Sequence, residues 1–134
     1  MKRLWLVTII FCLTAILAAC SGQDGEKDMQ SEQTPMLKVE FKLPDTAKIK
    51  EQIELKAIVT YGDEKVKDAD DVTFEYWKKD EKDNSTKVAS KNNKDGTYTA
   101  NVSFDETGTY ELYAHTTARD LHTMPKKSID VADK

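Results

Sequence analysis

Two histidines and a methionine near the C-terminus are the side chains best suited to chemistry. His115 and His122 are the only histidines among the 134 residues, and Met124 follows the second of them closely. Two imidazoles and a thioether form a soft, neutral ligand set that suits Cu(I), because thioether sulfur selects Cu(I) and imidazole also accepts copper. Zinc prefers thiolate or carboxylate beside histidine, and the carboxylate of Asp120 leaves a zinc site open as an alternative.

A β-hairpin would bring these three side chains together. We predict one strand over 109–117 and the next from about residue 122, with a turn centred between residues 118 and 119. That turn would set His115 directly opposite His122 on the outer face of the sheet. Met124 lies two residues beyond His122, so its side chain points to the same face. The pattern predicts a copper site made of His115, His122 and Met124, with Met29 and Met36 as further candidate ligands.

Alternating apolar and polar residues indicate strands along the rest of the domain. Period-two patterns cover 36–43, 53–61, 72–76 and 98–104, and 85–90 is a candidate edge strand. Turn signals such as Asn92-Asn93-Lys94-Asp95-Gly96 separate these segments, and no segment has a long helical period. The spacing predicts an all-β fold, an immunoglobulin-like β-sandwich of about seven antiparallel strands.

The segment before the penultimate strand supports this fold class. Asp105-Glu106-Thr107-Gly108-Thr109-Tyr110-Glu111-Leu112 resembles the tyrosine corner of immunoglobulin-like domains. In that motif the tyrosine hydroxyl bonds to backbone a few residues upstream. Leu112 stands where antibody domains carry a cysteine, so the resemblance is to immunoglobulin-like domains in the broad sense.

The N-terminus has the features of an export leader. Lys2 and Arg3 precede an uncharged apolar run over 4–19, and these 16 residues are short for a membrane-spanning helix. Leu17-Ala18-Ala19-Cys20 resembles the lipobox of bacterial lipoproteins. The resemblance implies that residues 1–19 are a signal peptide and that Cys20 carries diacylglycerol and a further acyl chain such as palmitate. The protein would then be anchored to the outer face of the cytoplasmic membrane.

The composition of the chain after the leader predicts a polar tether followed by an acidic folded domain. Residues 20–35 are polar and predict a lipid-anchored flexible tether, and 36–134 form the folded domain. Removing the two leader cations leaves 18 basic side chains against 24 acidic ones, a formal charge of −6. An acidic chain has no electrostatic reason to bind nucleic acid or anionic lipid, so the membrane contact would be the lipid at Cys20.

The C-terminal segment resembles a known family. The stretch Tyr113–Lys127, which reads YAHTTARDLHTMPKK, resembles the C-terminal signature of the YtkA-like domain family, and the strands over 36–131 are consistent with it. Members are small exported or lipid-anchored domains related to FixH proteins, which are associated with the assembly of copper-containing terminal oxidases. The resemblance implies a metallochaperone-like copper domain with a membrane-bound oxidase subunit as acceptor. His122-Thr123-Met124 also resembles the His-x-Met pair of periplasmic copper chaperones, whose further upstream His-Met pair this sequence lacks.

The sequence gives little support for an enzyme or for another kind of metal site. There is no Gly-rich phosphate loop and no recognisable Ser-His-Asp context, so we expect no enzyme. A cupredoxin centre needs a cysteine that the mature domain lacks. Asp68-Ala69-Asp70-Asp71 could attract calcium but lacks the EF-hand spacing and glycine. The alternative to copper binding is a metal-free interaction module that docks a partner protein through Tyr113, Leu121 and Met124.

Overall fold

Eleven strands and one short 3₁₀ helix make up the part of the chain that the computed structural model describes, residues 34–134. The predicted signal peptide (1–19), lipidated Cys20, most of the tether and Met29 lie outside the described residues. In chain order the strands are β1 Leu37–Lys42, β2 Thr46–Lys48, β3 Ile53–Tyr61, β4 Glu64–Lys65, β5 Asp71–Lys78, β6 Thr86–Ala89, β7 Lys91–Asn92, β8 Thr97–Val102, β9 Gly108–Ala118, β10 Leu121–Thr123 and β11 Lys126–Ala132. The 3₁₀ helix Lys82–Asn84 lies between β5 and β6.

The strands form two sheets, which confirms the all-β sandwich. The first sheet has the order β1-β3-β8-β7, with β4 paired to β3. The second sheet has the order β2-β11-β9-β5-β6, with β10 paired to β9. All pairs are antiparallel except β2 with β11, which run parallel. The strands outnumber the seven predicted for two reasons. β2, β4 and β7 are only two or three residues long, too short to show a period, and the predicted last strand is divided at Pro125 into β10 and β11.

Side chains that alternate along the long strands fill the space between the sheets. Leu55, Ala57 and Val59 of β3 are fully buried, as are Phe74 of β5 and Leu112 of β9. The rings of Phe41 and Phe74 stack across the core with centroids 5.5 Å apart. The opposite residues of β5 and β9 therefore form the exterior of the second sheet, which is called the outer face below.

The predicted tyrosine corner is present at the start of β9. The Tyr110 hydroxyl donates a hydrogen bond to the backbone carbonyl of Glu106 over 3.2 Å. Tyr110 is buried, and this burial raises the pKa of its phenol, an effect that the nearby Lys78 ammonium opposes. The hydroxyl bond fixes the loop that leads into the strand carrying the candidate ligands.

The turn between β9 and β10 is centred one residue later than predicted. Arg119 and Asp120 both have positive φ, 54° and 60°, as the two central residues of a type I′ hairpin turn do. Such turns favour Asn and Gly, so an Arg-Asp pair gives no compositional signal of its position. Leu121 pairs with Ala118 in consequence, and the predicted direct pairing of His115 with His122 is wrong.

No helix within residues 34–134 is long and apolar enough to cross a membrane.

Candidate metal site on the outer face

The observed register still places the two histidines on one face. His122 of β10 pairs with Thr117 of β9, and His115 lies two residues before Thr117 on the same strand. His115 and His122 are therefore diagonal neighbours across the hairpin rather than direct partners. Their ring centroids lie 5.9 Å apart with an interplanar angle of 30°.

Met124 occupies the position opposite His115. The register of the hairpin continues beyond β10, since Lys126 pairs with Tyr113 and the Ala114 amide donates to the Pro125 carbonyl over 3.1 Å. Pro125 lies between β10 and β11, as predicted for a residue that has no amide hydrogen to donate to the sheet. The pairing register with β9 is the same before and after Pro125, so there is no bulge. Met124 consequently faces outward with His122, and its side chain is 39% exposed.

A buried carboxylate, which the strand pattern alone does not predict, holds His115. Glu75 of β5 places Oε2 2.6 Å from His115 Nε2, and the hydroxyl of Ser85 donates to the other carboxylate oxygen over 2.7 Å. The side chain of His115 is only 21% exposed, and that of Glu75 is only 11% exposed. The Ser85 hydroxyl, followed by His115, lowers the pKa of Glu75, so this carboxyl stays ionised.

Sequence alternation could have assigned Glu75 to the outer face but not to the histidine. Val72 and Phe74 of β5 point inward, so Glu75 must point outward. Its contact with His115 depends on the pairing of β5 with β9, strands that are separated in sequence by the whole of β6 to β8. The sequence carries no local signal of that pairing.

The second histidine has a weaker, exposed partner. The Thr117 hydroxyl lies 2.9 Å from His122 Nδ1, and both residues are on the hairpin that ends at Arg119 and Asp120.

The tip of this hairpin is joined to another loop by an ion pair of 2.8 Å between Arg119 and Asp68. That ion pair fastens the tip of the hairpin to the loop before β5.

An aromatic run adjoins the histidine pair. The ring of Tyr113 lies 5.5 Å from that of His115 and 5.1 Å from that of Trp77, measured between centroids. The Lys82 ammonium covers both Trp77 and Tyr113, at 5.2 and 5.3 Å from their ring centroids. Trp77 is only 3% exposed, so its indole is packed within this run and is not available as a ligand platform.

Carboxylates at the hairpin tip do not join the histidines. Asp120 lies in the exposed turn, and Asp68 and Asp71 bond to Arg119 and to the Thr73 hydroxyl, respectively. Among residues 34–134, no group of three or more His, Cys, Asp or Glu side chains is arranged to hold a metal ion. A three-ligand site on this face therefore requires the Met124 thioether.

The other candidate ligand and the predicted apolar anchors do not all lie on the outer face. Met36 is 64% exposed and precedes β1, in the sheet opposite the histidines. Of the three apolar anchors of the alternative interaction module, Tyr113 and Met124 share the outer face. Leu121 is exposed but alternates with His122, so it points to the other side of β10.

Two solved structures show what the chain is similar to at low sequence identity. The CARDB domain of a Pyrococcus furiosus protein, in complex with di-metal ions, is 16% identical with a TM-score of 0.45, covering 75% of this chain and 96% of that domain. The superoxide reductase (neelaredoxin) from Ignicoccus hospitalis is 13% identical with a TM-score of 0.47, covering 80% of this chain and 89% of the reductase. The metal ions and the reductase activity belong to those proteins.

Comparison at the sequence level identifies the family. No curated protein matches the chain. The YtkA-like family matches residues 24–115, a segment that ends at His115 and leaves His122 and Met124 beyond it. Because the match covers well over half of the chain, the protein belongs to the YtkA-like family.

Proposed function

We propose that this protein is a lipid-anchored, extracytoplasmic copper-binding domain that takes up Cu(I) through His115, His122 and Met124. The observation that supports the proposal best is the approach of the two imidazole rings to 5.9 Å between centroids on one face. Metal–nitrogen bonds are about 2.0–2.1 Å long, so two imidazoles that share one ion have ring centres about 6 Å apart or closer. The observed separation of the ring centroids is therefore within the range for two imidazoles that share one ion.

The third ligand favours copper over zinc. Met124 lies opposite His115 in register and two residues from His122, so its thioether is within reach of the same ion. Thioether sulfur is a soft ligand that selects Cu(I), whereas zinc sites use thiolate or carboxylate beside imidazole. The carboxylate nearest to the pair, Glu75, is already bonded to Ser85 and His115.

The position of the site suits transfer of the ion rather than catalysis. His122 and Met124 are exposed on a hairpin, so an acceptor protein can approach the bound ion and replace the ligands one at a time. A lipid at Cys20 and a polar tether would keep the domain near membrane-bound acceptors, of which a copper-containing oxidase subunit is the candidate. In this role the protein is a metallochaperone and not an enzyme.

Competition for Cu(I) tests the proposal. The full chain in detergent micelles is mixed with a chromophoric Cu(I) chelator, and the fraction of Cu(I) withdrawn from the chelator is measured. We expect one equivalent to bind, and the affinity to fall as the solution is acidified, because protons compete with the metal for imidazole.

The control is Ser128→Ala, an exposed outer-face substitution on β11, which should leave binding unchanged. If the wild type binds no more tightly than the His115→Ala/His122→Ala double variant, the copper proposal fails. In that event the interaction module becomes the better account.

A further inference from the structure

The carboxylate behind His115 carries an inference that rests on the proposed function and deepens it. Glu75 Oε2 lies 2.6 Å from Nε2 of His115, a distance typical of a strong charge-assisted hydrogen bond. The bond is shielded from solvent. Glu75 lies between Lys87 of β6 and Tyr113 of β9 in the sheet, and its side chain is only 11% exposed. An ion that displaced Glu75 from Nε2 would strand a nearly buried carboxylate with Ser85 as its remaining partner, which is costly.

We infer that Glu75 is the positioning residue of the site: it holds the Nε2 proton of His115, so His115 binds the metal through Nδ1, whereas His122 binds through Nε2. The second assignment follows from Thr117, whose hydroxyl occupies Nδ1 of His122 at 2.9 Å. Each imidazole thus has one nitrogen engaged by the protein and the other left for the ion. Metal-binding histidines in general donate their second ring N–H to a carboxylate, carbonyl or similar partner.

Glu75 has two physical effects on such a site. The hydrogen bond fixes the tautomer and the rotation of the ring, so that less ordering is needed when the ion arrives. The carboxylate also increases the electron density of the imidazole, which strengthens the bond between Nδ1 and the metal ion. Glu75 does not touch the ion in this arrangement, because its oxygens are used by His115 and Ser85.

The chain offers a matched control for Glu75. Glu111 also lies on the outer face, is 24% exposed, and bonds to Lys126 at 2.7 Å and to the Trp77 indole at 3.0 Å. It carries the same charge as Glu75 but contacts neither histidine. A general loss of negative charge on this face affects both variants, whereas loss of the positioning bond affects only the Glu75 variants.

Nitrogen NMR on the full chain in detergent micelles tests the assignment of ring nitrogens. The protein has only two histidines, so selective ¹⁵N-histidine labelling gives two imidazole spin systems. Without metal, we expect His115 to be the Nε2–H tautomer in the wild type and in Glu111→Gln, and to lose that preference in Glu75→Ala. On addition of Cu(I), the largest ¹⁵N change should be at Nδ1 of His115 and at Nε2 of His122.

Affinity for Cu(I) provides the second readout. Loss of a partner behind a metal-binding histidine lowers metal affinity about 10- to 100-fold, which is the loss we expect for Glu75→Ala. Glu75→Gln keeps the side-chain volume and a hydrogen-bond acceptor, so it should recover part of that affinity and guards against a folding defect. Glu111→Gln should bind as the wild type does.

The outcomes separate this inference from the proposed function. Tight Cu(I) binding with the largest ¹⁵N change at Nε2 of His115, or equal affinities for Glu75→Ala and Glu111→Gln, would overturn the positioning role and leave copper binding intact. If the wild type binds no Cu(I) at all, both the function and the inference are wrong.

Discussion

At the scale of single residues, His115 is the centre of the candidate site. His115 lies directly opposite Met124 and is the diagonal neighbour of His122 across the hairpin, and its Nε2 is hydrogen-bonded to Glu75. Each of the other three residues is therefore a neighbour of His115. The residue types and their common face could be predicted from the sequence, because alternation along a strand fixes the face. The relative positions could not, because they depend on a turn at Arg119 and Asp120, and an arginine seldom adopts the positive φ that the first turn position requires.

Replacement of Met124 by Ala should weaken Cu(I) binding more than Zn(II) binding. The thioether is the soft member of the ligand set, and its removal leaves two imidazoles that both ions accept. The measurement is the dissociation constant for each ion by chelator competition. Met36→Ala is the matched control, since that methionine lies beside β1 in the other sheet. Equal losses for the two ions would contradict a Cu(I)-selective role for Met124, and an unchanged Cu(I) affinity would show that it is not a ligand.

Glu75 should make the stability of the domain depend on pH in acid. The pKa of Glu75 is lowered in the folded protein, so its ionised form stabilises the fold above the ordinary carboxyl value of 4.5, and this contribution is lost as pH falls through the lowered pKa. We expect the free energies of unfolding of wild type and Glu75→Gln to converge below about pH 4.5. Urea denaturation at pH 7 and pH 3 measures the difference, and a constant gap would contradict the expectation.

At the scale of elements, the long strands were predictable and the short ones were not. The predicted segment 53–61 coincides with β3 because it alternates clearly, and the candidate edge strand over 85–90 contains β6. β2, by contrast, has three residues and exists because it pairs in parallel with β11. Such a strand is made by tertiary contacts, so it leaves no period in the sequence.

The tyrosine corner gives a stability prediction for β9. Tyr110→Phe removes the hydroxyl bond to the Glu106 carbonyl and should lower the free energy of unfolding by about 0.5–1.5 kcal/mol. Urea denaturation provides the measurement. Tyr61→Phe is the control, because Tyr61 is a partly buried tyrosine at the end of β3, outside the corner. An unchanged midpoint for Tyr110→Phe would mean that the corner adds nothing to stability.

At the scale of the whole molecule, the proposed function depends on a part of the chain beyond the sandwich. The outer face presents the candidate ligands, and the lipobox-like segment ending at Cys20 is the predicted means of keeping them at the membrane. Two acyl chains are enough for stable anchoring, whereas one gives only marginal binding. The sandwich and the predicted anchor are thus separate requirements of the proposed delivery of an ion to a membrane acceptor.

Metabolic labelling tests the anchor. Cells given a labelled fatty acid should incorporate the label into the wild-type protein and not into Cys20→Ala, because the cysteine sulfur is the predicted attachment point. Cys12→Ala is the matched control, since that cysteine lies in the predicted leader. Equal labelling of wild type and Cys20→Ala would show that the protein is not a lipoprotein of this kind.

The aromatic run on the outer face provides the domain with a built-in optical reporter. Trp77 is the only tryptophan after residue 19, so its emission is not mixed with that of another indole in the mature protein. Tyr113 lies between Trp77 and His115, with successive ring centroids 5.1 and 5.5 Å apart. A paramagnetic Cu(II) ion held by the imidazoles would quench the indole fluorescence over this short distance, so oxidation of bound Cu(I) could be followed in real time without an attached dye.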